Sequence, residues 1–205
     1  MMLRGGIYAL VLLLAAGCGA LQPVKPEQTN TFALEARFDS KTSVPPPDAP
    51  VLVVSLPRAR PGFNSPHMVF VRKSHELEYF AKNQWVDVPA RMLAPLLVQA
   101  MESSGAFRAV VTPQSGAAAS LRLESEIVRL QQEFLAEPSR VHITLRVQLI
   151  DVAAKKVLAT REFDMTETAP SDDPYGGVVA TNRALQRALN EVAEFCAAQA
   201  KALGP

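Results

Sequence analysis

Cysteine, tryptophan and histidine are scarce: two, one and three residues in a chain of 205. Two cysteines cannot make the disulfide framework of a small secreted scaffold, and neither stands at a zinc-like spacing from a histidine. His67, His75 and His142 are scattered, and none adjoins a recognisable nucleophile motif, so no catalytic residue is assigned. The formal net charge is only +1 and no dense basic block occurs, which argues against a nucleic-acid partner. No glycine loop of phosphate-binding spacing is present, so ATP chemistry is not expected of this chain, nor any metal or cofactor. The longest apolar run, Ile7 to Ala16, falls short of the ~20 residues that a spanning helix needs.

What is present fits one globular domain behind an export signal. Hydrophobic residues make up 48% and charged residues 20%, ordinary values for a water-soluble core and surface. Arg4, the apolar run and the small residues after it have the form of a secretory signal peptide over residues 1–17. Ala15-Ala16-Gly17-Cys18 resembles the bacterial lipobox, in which the cysteine becomes the lipid-bearing first residue. Leu14 stands one place earlier than the usual lipobox leucine. Bacterial lipoproteins of this type carry three acyl chains, palmitate among them. At ~0.8 kcal/mol per buried methylene, that makes anchoring effectively permanent. Gly19, rather than an aspartate, after Cys18 implies the periplasmic face of the outer membrane. Residues 18–30 are then the lipidated N-terminus and tether, and Ala20 to Asn30 reaches at most ~35 Å when extended. Cys196, within a helical pattern, reads as a small buried apolar residue.

Residues 31–205 read as mixed strand and helix. Thr31–Ala36 alternates like a first strand, Ser43–Pro50 is a proline loop, and Val51–Pro57 is an apolar strand buried on both faces. Met68–Arg72 and Glu76–Phe80 form two short strands. A helix follows, with Asp87 as cap, Pro89 in the first turn and Gly105 at its end; Pro95 bends it or delays its start. After a strand at Phe107–Thr112 come three long ones. In the middle one Val141, Ile143, Leu145, Val147 and Leu149 share a face.

The first long strand changes phase: Leu121, Leu123 and Ile127 lie on one face, Val128, Leu130 and Phe134 on the other. Either a bulge shifts the register near Ile127, or Val128, Leu130 and Phe134 face a partner. Trp85 is similarly open between a packed residue at the helix entry and a docking aromatic. The final helix is capped by Asp173, with an apolar stripe that Asn182 interrupts. The expected fold is α+β: a two-layer sandwich with a largely antiparallel sheet and two main helices on one face.

Arg72 to Val110 carries a leucine-tyrosine-aromatic strand (Leu77, Tyr79, Phe80), then Trp85, a helix led by Pro89, and an exit at Ser104 to Phe107. Later come Val157-Leu158, Arg161 to Phe163, an Asp-rich loop and an Ala/Leu-rich last helix. In combination these resemble the ABC-type transport auxiliary lipoproteins, the PqiC-like family, over most of Thr31 to Leu203. That family's usual C-terminal tryptophan is replaced here, with Phe195 the nearest aromatic.

The resemblance implies a non-catalytic docking or conduit component of an MCE-type ABC lipid transport system, held to the outer membrane by its acyl chains. The implied partners are an MCE-family periplasmic protein, its ABC transporter, and further copies of the chain in a ring. A structural or envelope-assembly lipoprotein, or a periplasmic lipid-binding protein with its own cavity, is the alternative.

Overall fold

Two long turns of the chain on itself build the centre of the sheet. The computed structural model describes residues 28–39 and 45–203, so the expected signal peptide and Cys18 lie outside the described residues. In chain order the strands are β1 (Asn30–Phe32), β2 (Val51–Val54), β3 (Arg58–Ala59), β4 (His67–Val71), β5 (Glu78–Trp85), β6 (Ala109–Val111), β7 (Leu121–Glu133), β8 (Arg140–Asp151) and β9 (Lys156–Thr168). The α-helices are α1 (Pro89–Ser103) and α2 (Pro174–Ala202). Strands β7, β8 and β9 form an antiparallel meander. The alternation in β8 does what its pattern dictates: Val141, Ile143, Leu145, Val147 and Leu149 are all buried.

The other edge of β7 is shared by three short strands in succession. β2 lies beside Leu121–Leu123, β3 beside Glu126–Ile127 and β4 beside Gln132–Glu133, all parallel to it. The Ser55 and Arg60 amides donate to the carbonyls of Leu123 and Ile127, at 2.9 Å each, and carry the ladder between the pieces. β2 also pairs in parallel with β6, while β4 pairs antiparallel with β5, which pairs in parallel with β1. The sheet is therefore mixed, and it curls as an open half-barrel rather than lying flat as one layer of a sandwich. This corrects the expectation of a largely antiparallel two-layer sandwich. The cause is connectivity: α1 and β6 intervene between β2 and β7, and a chain that returns through a crossover arrives parallel.

The phase change in β7 is a bulge. Register shifts between Ile127 and Arg129; Leu121, Leu123 and Ile127 are buried before it, and Leu130 and Gln132 after it. One extra residue exchanges the two faces of the strand.

Helix α1 begins at Pro89, whose missing amide is an orphan there anyway. Asp87 does not cap it. Its carboxylate accepts the Val88 amide at 2.6 Å and pairs with Arg91 at 2.7 Å. Pro95 falls inside the helix on its exposed side, while Leu93, Leu96, Leu97, Ala100 and Met101 are buried. Helix α2 is capped as expected: Asp173 Oδ1 accepts the Gly176 amide at 2.7 Å. Its buried stripe mixes Ala180, Ala184 and Ala188 with Leu185, Leu189 and Val192. Each buried leucine there contributes on the order of 1.5–3 kcal/mol.

The first strand is shorter than its sequence pattern implies. After Phe32 the chain stays out of the sheet and runs along α2 as a strap. Leu34 is buried, and Ala36 and Phe38 pack partly against the core. The backbone amides of Glu35 and Arg37 donate to Asn182 Oδ1 at 3.0 Å and Gln186 Oε1 at 2.6 Å. Two residues of extended chain advance ~6.6 Å and four residues of helix ~6 Å. Acceptors at 182 and 186 therefore match donors at 35 and 37, which explains why Asn182 interrupts the apolar stripe.

Candidate functional site

Large apolar side chains are exposed at several places, Leu56, Val86, Val157 and Leu203 among them, and one group lies where α2 begins. Parallel pairing of β4 with the end of β7 brings two hairpin tips together: the β4–β5 turn and the β7–β8 loop. The Phe134 amide donates to the Val71 carbonyl at 2.8 Å and holds them side by side. Behind the tips three aromatic rings cluster. Phe70 lies 4.4 Å from Phe80 and 6.0 Å from Phe134, the latter edge-on, and Phe80 lies 6.5 Å from Phe134. The Arg72 guanidinium lies 5.3 Å from the Phe70 ring centre.

A buried polar joint ties the start of α2 to this end. The Gln132 side chain donates to Ser139 Oγ at 3.0 Å and to the Asp173 carbonyl at 3.2 Å. Asp172 Oδ1 accepts the Ser139 amide at 2.7 Å, and that bond holds the Asp172 carboxyl below its ordinary value. Gln132 Oε1 is buried without a hydrogen-bond partner among the described residues. It faces the α-carbon of Gly177, where an added Cβ would lie only 2.2 Å away. Gly177 thus permits the close approach of helix and sheet.

Around the tips several large apolar side chains stand in solvent: Leu77 at 41%, Leu135 at 53% and Tyr175 at 64% exposure. Tyr175 is 6.4 Å from Phe32 of β1, so the start of the described chain belongs to this same end. The charges nearby are largely engaged with one another. Arg72 pairs with Glu78, with one contact at 2.8 Å, which raises the arginine's pKa and lowers the carboxylate's. Lys73 stands 3.7 Å from Glu76.

The residues picked out by sequence are not brought together as one interface. Trp85 and Leu130 are buried in the chain's own core: Trp85 packs at the helix entry, and the bulge turns Leu130 inward, the packed alternative for each. Val128 at the bulge and Phe134 at the tip are half-buried. Leu77, Leu135 and Tyr175 were missed as surface contacts; the Phe134-Leu135 pair just past a strand end was the available signal.

Elsewhere the polar side chains satisfy each other. His142 lies between Glu133 at 3.2 Å and Asp164 at 2.7 Å, with Arg129 2.9 Å away. Burial pushes Asp164 up, yet hydrogen bonds from Thr144 and His142 outweigh it and leave the carboxyl below its ordinary value. Among the described residues, no three His, Cys, Asp or Glu side chains converge as a metal site. The clefts are open to solvent. One of about 520 Å³ lies between the Pro46–Pro50 loop, Ala106 and the last turns of α2; another of about 1090 Å³ lies between the strap and the first turns of α2.

A family model described as the ABC-type transport auxiliary lipoprotein component matches residues 32–193. Among solved structures, a Xanthomonas campestris protein of the family DUF330 superposes with a TM-score of 0.72 at 21% identity, over 84% of this chain and 97% of that one. A Chlamydia trachomatis hypothetical protein superposes at 0.51 and 10% identity, over 74% and 98%. At such identities these likenesses establish the fold. No curated protein matches the sequence.

Proposed function

The chain belongs to the ABC-type transport auxiliary lipoprotein family, and from that premise we propose that it serves an MCE-type lipid transport system as a docking or conduit component. In this reading Cys18 carries the acyl chains, residues 1–17 are the removed signal peptide, and residues 18–30 tether the domain to the periplasmic face of the outer membrane. An MCE-family protein and its ABC transporter are the partners, and copies of the chain assemble with one another. The family match over residues 32–193 is the observation that carries the proposal.

The physical contribution of such a component is position. Confinement beside one membrane raises the effective concentration of its docking surface for a partner that spans the periplasm. Val128 and Phe134 are half-exposed and are read as contacts between copies of the chain lying side by side at the same membrane.

Photocrosslinking from the domain in intact cells tests the reading. Capture of an MCE-family protein is the expected result. Capture of other envelope proteins without it would overturn the transport role and favour the assembly alternative. Lipid recovered stoichiometrically with the isolated protein would instead favour a cavity.

A further inference from the structure

We infer that the end of the domain bearing Leu77, Leu135 and Tyr175 rests on the lipid surface that holds the anchor, leaving the opposite end, at the last turns of α2, facing away from it. The inference rests on the proposed acylation of Cys18 and adds an orientation to it.

Chain direction carries the first part of the case. β1 runs parallel to β5, with Asn30 beside Asn83 and Phe32 beside Trp85. Followed backwards from Asn30, the described chain therefore heads along β5 toward Tyr79 and Leu77, the β4–β5 tip. A register shift sets Gln84 opposite His67 but Tyr79 opposite Val69, so this stretch of β5 advances by only two residues of β4, and Leu77 lies two residues further on, ~13 Å from Gln84 in all. Cys18 lies ten residues before Gln28, a span of at most ~35 Å. The tip is within that reach with slack. α2 starts at this end and is ~43 Å long at 1.5 Å per residue, so its far end lies beyond the ~35 Å that even a taut tether doubling back would span.

The second part is the chemistry of the tip. Leu77, Leu135 and Tyr175 are exposed, and the Phe70, Phe80 and Phe134 rings stiffen the surface behind them. Aliphatic side chains with a tyrosine suit the boundary between headgroups and acyl chains. Charge does not drive the contact. Arg72 pairs with Glu78, Lys73 lies near Glu76, Asp172 accepts the Ser139 amide and Asp173 caps α2. Little net positive charge is left to seek anionic lipid, so a zwitterionic surface such as phosphatidylethanolamine suffices. Each apolar contact is individually weak, but the tether makes the encounter intramolecular.

The test uses the full lipidated protein in phosphatidylethanolamine-rich vesicles containing brominated lipids. A fluorophore is placed through Leu135→Cys in one sample and through Ala198→Cys, near the end of α2, in another. Quenching several-fold stronger at 135 than at 198 is expected, and it should persist at high salt. Adding Leu77→Glu and Tyr175→Ser should remove most of the difference while the protein stays on the vesicles. Unaltered circular dichroism would show that these exposed positions do not disturb the fold. Mass spectrometry of the same samples separates the two claims. An unmodified Cys18 overturns the anchor and the orientation together. An acylated Cys18 with equal quenching at both sites, or stronger quenching at 198, overturns the orientation alone, as does a 135 label shielded from lipid by a captured protein.

Discussion

Gly177 sits where the helix touches the sheet, and a methyl group there must push the Gln132 side chain off its hydrogen bonds to Ser139 and Asp173. Its Cβ would lie 2.2 Å from Gln132 Oε1, so Gly177→Ala is expected to destabilise the fold by about 1–3 kcal/mol, as overpacking does, seen as a lower urea midpoint. Cys196 makes the opposite case, a group protected by its surroundings. Burial pushes its thiol from 9.0 up to about 12, so the unfolded chain ionises at a lower pH than the folded one. The contribution of this thiol to stability is complete below pH 9.0 and is lost as pH rises toward about 12. Alkylating reagent at neutral pH should leave Cys196 untouched in the native protein and modify it once denaturant is added; rapid native labelling would refute the burial. Its apolar role was legible from the helical period. The fates of Trp85 and Leu130 were not, because each lies where a strand ends or changes phase and alternation stops reporting the face.

Among elements, the strap is the least ordinary. Its backbone amides are held by side chains of α2 instead of a neighbouring strand. Replacing Asn182 and Gln186 together by alanine should cost roughly 0.5–1.5 kcal/mol per lost bond. Hydrogen exchange at Glu35 and Arg37 should accelerate well before exchange in β8 changes; uniform acceleration through the whole sheet would show that the strap is no separate unit. Helix α2 and the β7–β8–β9 meander were plain in the sequence because long elements repeat their periods many times. The parallel pairings were hidden. β2, β3 and β4 contribute only a few residues each to the edge of β7, too short for any period to distinguish a parallel neighbour from an antiparallel one. The strap left no signature beyond one asparagine in an apolar stripe.

For the whole molecule, the bulge in β7 separates stability from assembly. Leu130→Asp would put a carboxylate in the core and is expected to unfold the domain, by several kcal/mol, whatever the oligomeric state. Phe134→Asp changes a half-buried ring at the tip; it should leave most of the fold standing and alter self-association between neighbouring copies, measured by light scattering and crosslinking. If Phe134→Asp assembles like the parent, that side chain is no interface residue. The family was readable because its marks are spread through the chain, from Leu77 and Trp85 to the last helix. The curl of the sheet was not, since it arises from how one long strand collects three short neighbours.

That collection also governs how the molecule meets force. A pull on the N-terminus toward the hairpin tips runs along β1, parallel to β5, and along the strap that lies lengthwise on α2. All the bonds in that path are loaded at once in shear, rather than peeled open one after another. A protein hung from one end by its first residues would thereby resist being unravelled by its own attachment.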